Sequence, residues 1–301
     1  LTGTTSVRVN TTGAAIDQTL LIPGSTDPGV PVVFTTAAPV TEFTVSAATL
    51  ALAGQSLTGT FSFHRVGTDI VVSATEVTVS FGGAVVLTAV SGALVIGAGG
   101  LAGRLDAHLA IAALGVDVDG SLAINTLPTA VSRTVDTVIL DLPAGPYVRV
   151  EVIGLDLTIL GQSLTADLVV ERATGPGGTT VTAIGLAEVS LTLGAGANGV
   201  TLTHGSGLLV VTAAGVAGRI EGTIDVQLGS DVSLEFVSLS VAVNTTAIPV
   251  STSLLVGGTT VALDLPGGPY LRVEGVGVTL TVFGQTLSGD LAIERVTPLT
   301  A

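Results

Sequence analysis

The chain has 301 residues, of which 47% are hydrophobic, so it can bury a sizeable core and is not a disordered segment. Its formal charge of −14 rests on 23 acidic residues against nine arginines and no lysine, which leaves no basic stripe to release phosphate counterions and excludes nucleic acid as a partner. Cysteine is absent, so neither a disulfide framework nor a thiolate site is available.

Aromatic residues reach only 3%, while forty glycines stand beside abundant Val, Thr and Ser, the mixture expected of pleated strands joined by tight turns. The chain also lacks methionine and opens in mid-pattern at Leu1 without a signal peptide, so it reads as a segment of a longer protein.

In chain order, a partial repeat over 1–38 opens on "SVRVNTT" from Ser6. A unit over 39–145 begins at "AAPVTEFTV" and carries glycine-centred turns in "LALAGQSLTG" from Leu50 and "VSFGGAVVL" from Val79. The uncharged run from Val77 to Gly103 is long enough for a membrane helix. Its β-branched residues, its glycines and its twin "GVTLTHGSGLLVVTAAGVAGR" from Gly199 predict strands instead, so the chain is not membrane-spanning by helix.

A second unit over 146–268 opens within "LDLPAGPYVRVEVIGLDLTILGQSLTADLVVER" from Leu140. The phrase returns as "LDLPGGPYLRVEGVGVTLTVFGQTLSGDLAIER" from Leu263, leading into a partial unit over 269–301. The offset between copies drifts from 107 (Gly54 to Gly161) through 115 (Arg104 to Arg219) and 119 (Asn125 to Asn244) to 123 (Asp141 to Asp264), while each matched phrase keeps its own register. Length changes therefore fall at loops between fixed strands.

Each glycine-X pair sits between alternating runs, which predicts type II′ hairpins. Leu164, Ala166, Leu168 and Val170 alternate with Thr165, Asp167, Val169 and Glu171, giving one dry and one wet face. Pro143, Pro146, Pro266 and Pro269 suit strand-to-strand corners. The fold expected is all-β, an elongated repetitive array rich in antiparallel hairpins, with a parallel β-helix as the alternative.

Candidate chemistry is sparse. His64 becomes Glu171 and Glu294 in the other copies, His108 becomes Thr223 and His204 corresponds to Ala89, so each reads as a strand residue rather than a metal ligand or base. Asp167 and Glu171 recur as Asp290 and Glu294, but residues four apart on a strand stand about 13 Å apart, outside the usual range for paired glycosidase carboxylates. Arg149, Arg172, Arg272 and Arg295 are expected to pair with these acids across strands.

"GVDVDG" from Gly115 resembles the front of a calcium loop through Asp117 and Asp119. It lacks the remaining ligands, so weak calcium binding at an acidic turn is the most it implies, and calcium is not needed for folding. "NTT" at Asn10 and Asn244 matches the glycosylation pattern, which "NTL" at Asn125 breaks. No catalytic, cofactor or metal set emerges, and an enzyme is not expected.

The phrases "GQTLSGDLAIE", "LDLPGGPYLRVEG" and "VAVNTT" resemble those of very large bacterial secreted or surface proteins built from β-strand repeats, over essentially the whole chain. The resemblance implies an extracellular, adhesin-like or matrix-forming parent without the glycine-aspartate nonapeptides of its calcium-dependent branch. The leading expectation is a structural segment of a fibre or stalk, giving length, stiffness and self-association with neighbouring repeats. The alternative is a binding module with an apolar groove for lipid or glycan. A spacer should bury its dry faces, whereas a lipid conduit should leave a continuous apolar channel open.

Overall fold

The computed structural model describes residues 2–24, 26, 28–52, 55–81, 85–111, 116–159, 162–174, 178–195 and 198–296. It is all-β, and every strand pairing in it is antiparallel. A sheet of fifteen strands forms an elongated, open array that does not close into a barrel. Its strands are β1 (Thr2–Asn10), then β4 (Val40–Leu52), β5 (Gln55–Val66), β6 (Asp69–Phe81), β7 (Val85–Gly97), β8 (Gly100–Ile111) and β9 (Val116–Asn125). It continues through β12 (Tyr147–Ile159), β13 (Gln162–Thr174), β14 (Thr180–Ala195), β15 (Asn198–Thr212), β16 (Gly215–Leu228) and β17 (Val232–Asn244) to β20 (Tyr270–Val282) and β21 (Gln285–Val296).

The missing numbers belong to three hairpins that leave the sheet: β2 (Ile16–Leu20) with β3 (Val30–Phe34), β10 (Val131–Val135) with β11 (Val138–Leu142), and β18 (Val250–Val256) with β19 (Thr259–Leu265). After each excursion the chain returns to pair beside the strand it left, so β9 pairs with β12 and β17 with β20. Six sheet strands and one hairpin thus recur in β4–β11 and in β12–β19. Strands β4, β12 and β20 each begin directly after Pro39, Pro146 and Pro269. Antiparallel meandering, rather than a parallel β-helix, is the arrangement found, because each two-residue turn reverses the chain beside itself.

Two of the described turns differ in type from expectation. Gly257 and Gly258 both have positive φ (54° and 83°), as do Phe283 and Gly284 (47° and 76°), which is the type I′ signature rather than type II′. The turns at Gly54, Gly82 and Gly161 lie outside the described residues. Bulges interrupt the long strands. Ala47, Gly154 and Gly277 have positive φ at matching places in β4, β12 and β20, and each sits where the pairing register slips.

The β10–β11 and β18–β19 hairpins fold back over one face of the sheet and make a core there. Val135, Val138, Leu140 and Leu142 meet Val71, Ala93, Val95, Ala102, Ala123 and Tyr147. Leu254, Val256, Val261, Leu263 and Leu265 meet Val169, Ala187, Leu208, Val210, Ala217, Ala242 and Tyr270. Alternation within the hairpins explains this, since the intervening Ser132, Thr134, Ile139 and Asp141 point outward.

A buried asparagine fixes each hairpin root. Asn244 is fully buried; its amide donates to the carbonyls of Ile248 (3.0 Å) and Pro266 (2.7 Å), and its oxygen accepts from the Thr246 amide (2.8 Å) and hydroxyl (2.7 Å). Asn125 binds Thr129, Pro143 and Leu127 in the same way, and Asn10 binds Ala14 and Thr12. The glycosylation pattern at Asn10 and Asn244 therefore marks side chains enclosed in a turn. The corners expected at Pro143 and Pro266 are the carbonyls these amides hold.

Candidate functional site

Successive residues of a strand point to opposite faces, so the pairing registers assign every ladder position of the large sheet to one of two faces. The hairpin face carries the charge. Arg8 pairs there with Glu42 (3.0 Å), Arg104 with Asp106 (2.8 Å), and Arg149 with Glu171 (3.1 Å) and Glu151 (3.3 Å). Arg272 meets Glu294 (2.7 Å) and Glu274 (2.8 Å), Arg219 meets Glu221, and Arg133 on the β10 hairpin reaches Asp69 (3.4 Å). Hydrogen bonding to Glu274 and then Glu294 raises the Arg272 pKa, and the same bond holds the Glu274 carboxyl below its usual range. Burial, then the Glu171 carboxylate, pushes the Tyr147 phenol up. Beyond the hairpins this face turns to a polar row, Ser163, Thr192, Thr201, Asp225, Glu235 and Thr279, read across β13 to β20.

The opposite face is aliphatic. One unbroken row crosses the first unit as Val45, Phe61, Ala74, Gly92, Leu105 and Leu122. It continues through Val150, Val170, Ile184, Leu209, Gly218, Val243 and Leu271 to β20. A second row in the other half of the strands reads Leu157, Leu164, Leu191, Leu202, Ile224, Phe236 and Val278. No hairpin covers either row. Leu122 and Val150 are each 40% exposed and Leu271 is 43% exposed.

Glycines shape this surface. A Cβ on Gly92 would meet Leu105 Cδ1 at 3.0 Å, and one on Gly103 would meet Leu94 Cδ1 at 3.0 Å, so the leucines lie down over bare backbone. With Val72, Leu122 and Ile124 they wall a shallow trough of about 190 Å³.

The sequence-derived candidates sort cleanly between the faces. Asp167 and Asp290 do not pair with arginine; each accepts the amide of a bulge glycine, Gly154 and Gly277, at 2.7 Å. Arg149 and Arg272 bind Glu171 and Glu294 as expected, but Arg172 and Arg295 do not, because adjacent residues point to opposite faces. Arg65, Arg172 and Arg295 share one repeat position on the aliphatic side, and none has an acidic partner among the described residues.

Asp117 and Asp119 lie in strand β9 rather than in a turn, because the alternation of "VDVDG" suits a strand. They bracket His108 at 2.6 Å (Nε2) and 2.8 Å (Nδ1), and the hydrogen bond that the imidazolium donates to Asp119 raises the His108 pKa. His64 stands opposite Glu42 and Val71, and His204 has positive φ at a register slip in β15. Among the described residues, no three His, Asp or Glu side chains converge to hold a metal ion, and no helix is long and apolar enough to cross a membrane. No protein-family model, curated protein or solved structure matches this chain.

Proposed function

We propose that the chain is a segment of a periodic β-array that carries hydrocarbon chains on its uncovered aliphatic face. The observation behind this reading is the row from Val45 to Leu271, which crosses the units without a charged residue and is left open by hairpins that cover the other face. Fifteen strands at about 4.8 Å spacing and about ten residues of rise give a face of roughly 2,000 Å². That is several times the largest apolar patch of an ordinary monomer, about 300–600 Å², and contiguous patches of such size mark interaction surfaces. A narrow polar pocket would recognise a head group, whereas a flat wall of Leu, Val and Ile recognises length of hydrocarbon.

The test is titration of the chain with a neutral, environment-sensitive apolar dye, followed by displacement with hexadecane or hexadecanol and extraction of any lipid that co-purifies. Saturable binding at several sites per chain, weakened when Leu105 and Leu122 are both changed to Asp, supports the reading. Absence of binding, or a discrete dimer whose association alone removes the dye sites, overturns it in favour of pairing between copies.

The hairpin stitching supports a second reading, a stiff spacer within an extracellular fibre, through the hold each hairpin has on the strands it crosses. Rods growing from their ends under electron microscopy, with no affinity for hydrocarbon, would favour it.

A further inference from the structure

Six of the nine arginines are neutralised on the hairpin side, and the three that are not are Arg65, Arg172 and Arg295. All three are exposed, and all stand near the ends of their strands on the aliphatic face. Arg295 closes the row that reaches Leu271, Arg172 follows Val148 in the row through Phe63, Leu94 and Ile124, and Arg65 begins the row through Ile70, Ile96 and Leu101. Arg65, an exposed residue, donates through Nε to the Gly67 carbonyl at 3.0 Å. Every acid paired in the ladders of the large sheet lies on the other face, as with Glu42, Asp106, Glu151, Asp225 and Glu274. A chain of net charge −14 thus places its ladder acids on one face and edges the other with guanidinium groups six strand spacings apart, about 29 Å, while Glu76 and Glu188 stand at unpaired bulge positions in β6 and β14.

We infer that the amphiphile held by this face is a long-chain carboxylate, its tail lying along the strands and its head on the arginine edge. This rests on the hydrocarbon-carrying reading above. The far edge is lined by neutral amides, Gln162 and Asn198, so the face is polarised along the strand with one cationic end. A guanidinium presents paired donors that match a carboxylate in two parallel hydrogen bonds, and beside aliphatic side chains it keeps its stem on the apolar wall with its head in water. A second copy placed face to face would offer these arginines no carboxylate from its ladder positions. A single-headed anionic amphiphile supplies both halves of the match.

The decisive comparison is palmitate against hexadecanol, each below its micelle concentration, displacing a neutral dye from the intact chain at pH 8. Palmitate is expected to bind about 3- to 10-fold more tightly per site, with the advantage shrinking at 0.5 M salt. In the triple variant Arg65→Gln, Arg172→Gln, Arg295→Gln the two ligands should become equal, while Arg219→Gln on the hairpin face should keep the preference. Equal binding by the unaltered chain overturns the head-group inference and leaves the hydrocarbon reading standing. Failure of both ligands and of the dye overturns the reading beneath it. Loss of preference in Arg219→Gln, or capture on anionic phospholipid vesicles without binding of monomeric palmitate, also overturns the inference.

Discussion

Replacing Asn244 by Ala should release the β18–β19 hairpin while leaving the large sheet paired. The side chain is fully buried and satisfies four polar groups: the carbonyls of Ile248 and Pro266, and the amide and hydroxyl of Thr246. A buried group left without its partner costs about 1–3 kcal/mol. Ile248 and Pro266 are exposed residues, whereas Thr246 is 4% exposed. The Thr246 hydroxyl keeps the Ile248 carbonyl as an acceptor at 3.0 Å, so the Thr246 amide dominates and the loss comes to about 1–3 kcal/mol. Asn244→Asp keeps the acceptor but turns a carboxylate toward two carbonyls, so it should be no better. Hydrogen exchange read by mass spectrometry is the suitable assay, because a repeat array need not unfold in one step. Amides of Val250–Leu265 should lose protection in the variant, those of β13 to β16 should lose less, and the β10–β11 hairpin should be unchanged. Unaltered protection over Val250–Leu265 would refute the view that the asparagine is the latch.

Leu263→Ala empties a site that is 1% exposed beneath the hairpin and should cost about 2–5 kcal/mol, seen as a lower denaturant midpoint for the second unit. Gly257→Val should destabilise the same hairpin, since Gly257 has φ +54° and a Cβ there would run into the Asp167 carboxylate; Asp167→Gly in the same chain should recover part of the loss, read by thermal melting. The His108 imidazole should titrate above its ordinary value in an NMR pH series, and Asp119→Asn should bring it down. Because the folded state raises this pKa, the associated stability is complete below the unfolded value near 6.5 and is lost as pH rises through the folded value.

The strands and the repeat were legible because each rests on local chemistry. Period-2 alternation in "SLTADLVVE" requires a strand, and paired phrases such as "LDLPAGPY" and "LDLPGGPY" require a recurring corner. Which face would be covered was not legible. Leu164, Ala166, Leu168 and Val170 form the drier set, yet the hairpin covers the side of Asp167, Val169 and Glu171. That choice depends on where a hairpin more than eighty residues away folds back, which alternation within β13 does not encode. The bulges hid the same information, for a single inserted residue such as Gly154 swaps odd and even positions between the two halves of β12. Arg172 was mispaired for a related reason: its neighbour Glu171 is on the other face. Asn125 and Asn244 recur in the repeat, but their capping role appears only once Pro143 and Pro266 are brought beside them.

The hairpins also explain how an open sheet this wide keeps one shape. The β10–β11 hairpin leaves the sheet between β9 and β12 and runs back to β6, where the Ser73 hydroxyl donates to Asp136 at its tip. The β18–β19 hairpin leaves between β17 and β20 and reaches β12, where Arg149 donates to the Leu255 carbonyl at 2.7 Å and the Gly257 amide approaches Glu151 at 3.4 Å. Each of these two hairpins therefore crosses strands of its own unit, and the β18–β19 hairpin ends at β12, beside the root of the β10–β11 hairpin. Because Arg149 also holds Glu171, tip, sheet and ion pair form one connected contact. Coupling of this kind passes from unit to neighbouring unit, so stability grows with the number of repeats and no long-range closure is needed. It uses only the hairpin face, which is why the aliphatic face can stay open without the sheet losing its form.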